Sequence, residues 1–216
     1  MQAAYERRSV AFTSTVSKLL VSPCGASPGA SFRRKAHSPA STEFGTDFLY
    51  HFLSSIDYEH HLLVLRPVSD SAVFLASAAA AGATMVPMWL AADHLMLARA
   101  HVNTAPDGLF LIDTGGPGIG VDLRKSSLAA AAITPDASHP ETMRGGGGST
   151  QVLRFIASSV TIGKVTQHNL PGVYLPAGGF DKMFPFVVAG TISHEFFRHT
   201  AVAFDFASMT LVLTSY

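Results

Sequence analysis

The chain has 216 residues, of which 48% are hydrophobic and 14% charged, and its 15 basic and 15 acidic side chains give a net charge of zero. This composition is typical of a soluble protein with a packed core, and the balanced charge argues against nucleic acid or an anionic membrane surface as a partner. The single cysteine, Cys24, rules out an intramolecular disulfide and a cysteine-based zinc cage. A domain holds about 100 to 200 residues, so the length accommodates one domain and a fragment of a second.

Residues 1–43 differ in composition from the rest of the chain. They are rich in Ser, Ala and Pro and show no sustained apolar period, so they are predicted to be disordered or, at most, a short helix, and to form an unrelated leader. Arg7 and Arg8 precede a run that Thr, Ser and Lys interrupt, which is unlike a signal peptide. The sequence therefore does not identify the cellular compartment, and it is compatible with a secreted or periplasmic location.

The uncharged stretch from Ala72 to Ala92 has the length of a membrane span, but its small residues and Pro87 disfavour insertion. We expect no membrane span, and we assign residues 68–83 to a linker that leads into the first strand of a domain.

From Phe44 onwards, short runs of aromatic and β-branched residues between Gly, Pro, Asn and Asp predict a mostly β protein. Short helices are predicted only near 123–132 and 194–197. Trp89 and the phenylalanines are expected to pack in the core. In chain order, the predicted strands are 52–58, 62–66, 85–90, 96–102, 109–112, 152–156, 159–162, 186–188, 200–206 and 211–214.

An internal repeat joins the two ends of this β region. Residues 45–65 align without gaps with residues 193–213 at a constant offset. The repeated unit is predicted to consist of a helical turn, a strand, an Asp-containing turn and a final strand. The identical pairs include Phe48 with Phe196, His51 with His199, and Asp57 with Asp205.

An apolar strand between the two copies runs into Asp113-Thr114-Gly115. Such a motif holds a carboxylate at the end of a strand, with a glycine for the tight turn and a hydroxyl to brace the loop. A glycine-bearing hairpin region at 145–162 follows, and then an apolar pair with Gly190 before the short helix at 194–197. In this order and spacing, residues 84–216 resemble the aspartic proteases of the retropepsin-like and pepsin-like kind.

The resemblance implies a pepsin/retropepsin-like acid protease lobe, mostly β, that forms a closed or partly open barrel with a flap hairpin and one short helix. That complete lobe would span 84–216, and residues 44–67 would be the C-terminal remnant of a first lobe. The flap would lie near residues 143–155.

In this family two carboxylates share one proton: one activates a water molecule and the other protonates the scissile carbonyl of a peptide or protein substrate. By resemblance, Asp113 is one of the two, Thr114 braces the loop against the facing lobe and Gly115 lets the backbone pass closely. No cofactor and no metal ion are implied.

Two departures from the family pattern affect this assignment. Gly116 and Pro117 follow the motif where the family has Ser or Ala, and no second Asp-Thr-Gly or Asp-Ser-Gly precedes residues 44–67. The second aspartate would come from another copy in a two-fold dimer or from a missing N-terminal lobe, and the remnant favours a chain truncated at its N-terminus. We expect the isolated monomer to be inactive, and its exposed apolar surface to cause dimerisation or aggregation.

Several other interpretations compete with the family resemblance. Asp-Thr-Gly is also a common β-turn, and a non-catalytic β domain used for binding or dimerisation is the main alternative function. His194 and His199 in HEFFRH are about 140° apart on a helix, which disfavours a shared zinc ion. The glycine-rich segment 115–120 lacks nucleotide-loop spacing, and no G-x-S-x-G elbow occurs. Four residues are expected in solvated turns or strand-end turns, namely Asp57, His60, His61 and Asp205.

Overall fold

The computed structural model describes residues 17–20, 45–91, 95–145, 148–178 and 184–216. Strands dominate these ranges, which confirms the mostly β prediction. The strands are β1 (Ser17–Leu20), β2 (Leu53–Asp57), β3 (Leu62–Arg66), β4 (Thr84–Ala91), β5 (Leu95–Val102), β6 (Gly108–Asp113), β7 (Val121–Leu123), β8 (Glu141–Gly145), β9 (Gly148–Ile162), β10 (Val165–Tyr174), β11 (Gly190–Ser193), β12 (Thr200–Asp205) and β13 (Thr210–Ser215). The helices are α1 (Thr46–Leu49), α2 (Ser71–Ala80), α3 (Lys125–Ala130) and α4 (His194–Phe197), and a 3-10 turn covers Val68–Asp70.

One continuous sheet joins the strands in the order β1-β3-β2-β12-β13-β4-β5-β6-β11-β7-β10-β9-β8. An additional ladder pairs His101 of β5 with Thr161 of β9 and Val102 with Val160. The six strands β5, β6, β11, β7, β10 and β9 therefore form a ring, which only two residue pairs close. This arrangement is the partly open barrel-like lobe that the sequence predicted.

The internal repeat is also a repeat of structure. Helices α1 and α4 begin and end at equivalent positions. The pair Asp57 and Leu62 in the β2–β3 hairpin corresponds to Asp205 and Thr210 in the β12–β13 hairpin. Both hairpin turns also place a non-glycine residue at positive φ in equivalent positions, His61 at 55° and Met209 at 52°.

A pseudo-two-fold axis relates the two copies. Strands β2 and β12 are antiparallel neighbours, and Ser55 pairs with Ala203, its own counterpart in the repeat. The symmetry extends one strand further on each side, because β1 pairs with β3 where β4 pairs with β13: Ser17 stands opposite Leu65 as Thr84 stands opposite Leu213. A strand at 17–20 within the supposed leader was not predicted.

The main core lies between the six-stranded ring and the strands of the two repeat copies. Burial of apolar side chains drives this assembly, and the largest of the fully buried ones come from α4 and β12. They are Phe196, Phe197 and Phe204. The ring strands contribute Phe110 and Ile112 from β6 to the same cluster. The two phenylalanines thus anchor helix α4 in the core, which also fixes the position of the residues directly before the helix.

Some predicted elements differ from the structure. The strands expected at 152–156 and 159–162 are one strand, β9, whereas no strand forms at 186–188 and β11 begins only at Gly190. Strand β10 was missed because Asn169 and Pro171 are turn signals in sequence, yet here both lie inside a strand. Helix α2 was also missed: the segment predicted as a linker is helical, although none of its residues is buried.

Across the described ranges, every helix falls short of the length and apolarity that a membrane span requires.

Candidate active site

Asp113 is the last residue of β6 and its side chain is exposed. The strand runs through the core, with Phe110 and Ile112 in the main cluster, and then stops at the Thr114-Gly115 turn. The amide of Gly115 donates a hydrogen bond to Asp113 Oδ1 over 2.9 Å. A buried strand thus presents one carboxylate to solvent in an orientation that its own turn fixes.

Strand β11 holds the loop from the other side. It runs parallel to β6 and places Ser193 beside Asp113. The Ser193 hydroxyl lies 2.8 Å from the Asp113 carbonyl oxygen and 3.2 Å from the Gly116 carbonyl oxygen, and it donates to both. Because Ser193 is almost fully buried, these contacts tie the two ends of the Asp113–Gly116 turn to one side chain.

The same contact explains why glycine follows the Asp-Thr-Gly motif. A Cβ atom on Gly116 would collide with the Ser193 hydroxyl oxygen and come within 3.9 Å of Asp113 Oδ2. The hydroxyl that bridges the turn therefore comes from Ser193, on the neighbouring strand.

Backbone hydrogen bonds attach the end of the loop to α4. The amide of Ser193 donates to the Gly120 carbonyl (2.9 Å) and the amide of Glu195 donates to the Ile119 carbonyl (3.0 Å). Gly190 is required at the start of β11, since a Cβ atom there would collide with the carbonyl oxygen of Asp122. The glycine and short helix that the sequence singled out are thus part of the framework of the loop.

Tyr58 also contacts the loop, and the sequence gave no direct sign of this. Its hydroxyl donates to the Thr114 carbonyl over 2.9 Å, and its ring meets the His194 ring edge to face at 4.8 Å. Burial, with a smaller contribution from the Asp113 charge, raises the pKa of Tyr58 above its ordinary value. The available signal was the repeat itself, in which tyrosine stands opposite Phe206.

An apolar cavity opens at Leu109 near the start of β6, the strand that ends at Asp113. Side chains alternate along a strand, so Leu109, Leu111 and Asp113 share one face while Phe110 and Ile112 face the core. The cavity has a volume of about 650 Å³. Its lining includes Trp89, Leu97, Leu109, Phe184 and Phe186.

Trp89 and Phe186 form part of this lining instead of packing in the core, where the sequence placed them. They are 42% and 41% exposed. Both side chains border the cavity, so two apolar residues that the sequence assigned to the core line an open surface instead.

The predicted flap corresponds to the β8–β9 hairpin. Gly145 pairs with Gly148 at its tip, and the described residues of β8 are mostly exposed. An ion pair between Arg154 and Glu141 (3.0 Å) joins the two strands lower down. The hairpin is therefore an exposed two-stranded arm with glycines at its end.

The other candidates occupy structural positions. His194 contacts Glu195 and Tyr58, whereas His199 lies 3.9 Å from Glu59, so the two histidines turn to different partners. Asp57 accepts from the His60 amide and Asp205 from the Ala207 amide, as expected of strand-end turns. His60 and His61 are exposed. No cluster of three metal-ligating side chains occurs among the described residues.

Comparison with known proteins gives a match to a family model and likenesses to solved structures. Residues 98–186 match the family model described as aspartyl protease. The crystal structure of a retropepsin-like aspartic protease from Rickettsia conorii matches at 18% identity with a TM-score of 0.41, over 59% of this chain and 97% of that one. No curated protein matches the chain. The segment similar to the aspartyl protease family model contains the Asp113 loop, the exposed hairpin and the Phe184–Phe186 wall of the cavity.

Proposed function

We propose that the protein supplies one half of an aspartic endopeptidase site, with Asp113 as a catalytic residue that works with a second aspartate from a partner lobe or chain. The observation that carries this proposal is the placement of Asp113. An exposed carboxylate stands at the end of a buried strand, on the same strand face as Leu109, which lines the apolar cavity near the start of that strand. It does so inside the segment that the family model matches.

The chemistry needs two carboxylates close together. Two such groups cannot both ionise, so they share a proton, and the pair as a unit has two apparent pKa values. The ionised member takes a proton from water, which attacks the scissile carbonyl carbon, while the protonated member gives its proton to the carbonyl oxygen. Gly115 orients the Asp113 carboxylate through its amide, and Ser193 keeps the turn in place.

Peptides are the substrates that this geometry fits. The cavity at Leu109 lies along the strand that ends at Asp113 and is lined mainly by apolar and aromatic side chains, so it suits a large apolar side chain of a bound peptide. Residues 143–155 would act as the flap over the bound peptide, because the exposed hairpin β8–β9 has glycines at its tip.

The repeat supports an external source for the second aspartate. In the second copy, residues 88–193 lie between helix α4 and the part of β4 that pairs with β13. Asp113 is one of these residues. At the equivalent place in the first copy only residues 21–45 separate β1 from α1, and this short interval contains no aspartate. A chain with one full lobe and one reduced lobe needs a carboxylate from a second copy or from a separate lobe.

The test is hydrolysis of unstructured peptides between acidic and neutral pH by wild type, Asp113→Asn and Asp107→Asn. Asp107 is a matched control, since it precedes the other end of β6 and pairs with His101 at the surface. We expect Asp113→Asn to lose about 100-fold to 10,000-fold in rate, as loss of a general base does, and Asp107→Asn to retain wild-type activity. Equal activity in Asp113→Asn and wild type contradicts the proposal.

Dependence on protein concentration identifies the source of the second aspartate. A homodimeric site gives a specific activity that rises with concentration, and mixing wild type with excess Asp113→Asn lowers it. A site completed by a separate lobe gives no activity at any concentration of this chain alone.

The second candidate function is a non-catalytic domain for binding or dimerisation, which the reduced first copy favours. Light scattering and binding of a pepstatin-type inhibitor distinguish the two. A monomer that binds no inhibitor supports the non-catalytic function.

A further inference from the structure

We infer that Tyr58 is a positioning residue of the site: its hydroxyl, which the first repeat supplies, holds the turn that orients Asp113. The inference rests on the proposed function of Asp113 and assigns a task to the first repeat within it. Tyr58 follows β2, and Thr114, whose carbonyl accepts its hydrogen bond, lies 56 positions further along the chain.

The contact acts on a single peptide group. The Thr114 carbonyl and the Gly115 amide belong to the same planar trans unit, so they point in opposite directions. Tyr58 donates to the carbonyl on one side (2.9 Å), and the amide donates to Asp113 Oδ1 on the other (2.9 Å). A carbonyl that accepts a hydrogen bond polarises its peptide and strengthens donation by the N–H group. Tyr58 therefore fixes and strengthens the hydrogen bond that orients the carboxylate.

The repeat shows that packing alone does not require this hydroxyl. At the equivalent position Phe206 is 8% exposed and packs against Tyr50, with ring centroids 5.4 Å apart. The same turn after the same strand thus folds around an aromatic ring with no polar atom. At this pair of positions the two aromatic side chains differ by the Tyr58 hydroxyl, and that hydroxyl reaches the Asp113 turn.

Tyr58 and Ser193 together form a clamp on the turn, because each donates hydrogen bonds to its backbone carbonyls. Ser193 holds the carbonyls of Asp113 and Gly116, and Tyr58 holds the carbonyl of Thr114 between them. His194, the residue after Ser193, touches the Tyr58 ring at 4.8 Å and so links the two arms of the clamp. One arm comes from the second copy of the repeat and the other from the first.

The first test measures amide hydrogen exchange by NMR in the full chain, with Tyr58→Phe against Tyr50→Phe. Tyr50 is a matched control in the same repeat, because its ring packs on Phe206 and it is 45% exposed. We expect the Gly115 amide to exchange about threefold to tenfold faster in Tyr58→Phe, as loss of one hydrogen bond implies, with core amides unchanged. Unchanged exchange at Gly115, or faster exchange spread evenly over the core, overturns the inference.

The second test is kinetic and uses the active assembly. We expect Tyr58→Phe to lower kcat about threefold to tenfold and to leave KM within about twofold, because the turn orients the carboxylate and does not bind the peptide. A change confined to KM overturns the inference. If wild type hydrolyses no peptide in any assembly, the proposed function fails, and the exchange at Gly115 still decides whether Tyr58 holds the turn.

A measurement on wild type covers the case in which Tyr58→Phe does not fold. A 13C label at Cζ of tyrosine reports the ionisation of each phenol during a pH titration. We expect the Tyr58 phenol to stay protonated at pH values where the tyrosine of a short model peptide ionises. Ionisation of Tyr58 in the same pH range as the model peptide shows that its hydroxyl is not held in a buried hydrogen bond, and overturns the inference.

Discussion

The two copies of the repeat have the same backbone design and different attachments. Each consists of a helical turn, a hairpin and a strand-end aspartate, and the paired strands β2 and β12 meet at equivalent residues. The second copy is continuous with β11 and reaches the Asp113 turn through Ser193. The first copy reaches the same turn through one side chain, Tyr58. Two equivalent backbones therefore contact one turn through different side chains.

The strand-end aspartates show the largest energetic difference. Asp205 is 1% exposed and accepts hydrogen bonds from Ser71, Ala207 and Ser208. We expect Asp205→Ala to lower the free energy of unfolding by about 3 kcal/mol, since it leaves buried donors without an acceptor. The equivalent Asp57→Ala should cost less than about 1 kcal/mol, because its partner His60 is exposed. Urea unfolding of both variants checks this order, and equal costs contradict it.

The contact between Ser193 and Gly116 predicts coupled substitutions. Gly116→Ala forces a Cβ atom against the Ser193 hydroxyl, so we expect it to cost about 2 kcal/mol of unfolding free energy. Ser193→Gly should remove the clash, so the double variant should be more stable than the sum of the two single costs implies. A double-mutant cycle on thermal or urea unfolding measures this coupling, and strict additivity contradicts the close contact between Ser193 and Gly116.

The free energy of unfolding should also depend on pH through Asp57 of the first copy. Burial tends to raise the pKa of Asp57, but hydrogen bonds from Tyr216 and His60 outweigh it and leave the pKa below its ordinary value. A carboxyl whose pKa is lowered by folding stabilises the folded state above its unfolded pKa, and this contribution is lost as the pH falls through the folded pKa. The small stability difference between wild type and Asp57→Asn should therefore be present at neutral pH and disappear under strongly acidic conditions. A difference that grows on acidification contradicts the assignment.

The hairpin turns should give the smallest effect. His61 and Met209 both have positive φ, a region that glycine adopts without a steric cost. We expect His61→Gly and Met209→Gly to change the free energy of unfolding by no more than about 1 kcal/mol, and in the same direction. Opposite signs in thermal unfolding indicate that the two turns are not equivalent.

Much of this architecture was predictable from local patterns. The constant offset of the repeat located both hairpins, both short helices and the strand-end aspartates, because these depend on nearby residues. The Asp-Thr-Gly turn likewise follows from a strand that ends in turn residues. Asp113, Thr114 and Gly115 are therefore predictable from the sequence as one turn.

The missed features depend on contacts between distant segments. Ser193 contacts the Asp113–Gly116 turn from a position 80 residues away in the chain, and only the parallel pairing of β6 with β11 brings it there. Tyr58 has no local signal, since its partner lies in another part of the sheet. Trp89 was assigned to the core because hydrophobicity alone does not distinguish a core residue from the lining of an open cavity.

The pH dependence of kcat/KM in the active assembly tests the central claim most directly. If Asp113 works with a second aspartate that shares its proton, the profile is bell-shaped, with two apparent pKa values that belong to the pair, and it disappears in Asp113→Asn. Asp107→Asn should reproduce the wild-type profile. A bell-shaped profile that survives unchanged in Asp113→Asn contradicts the claim.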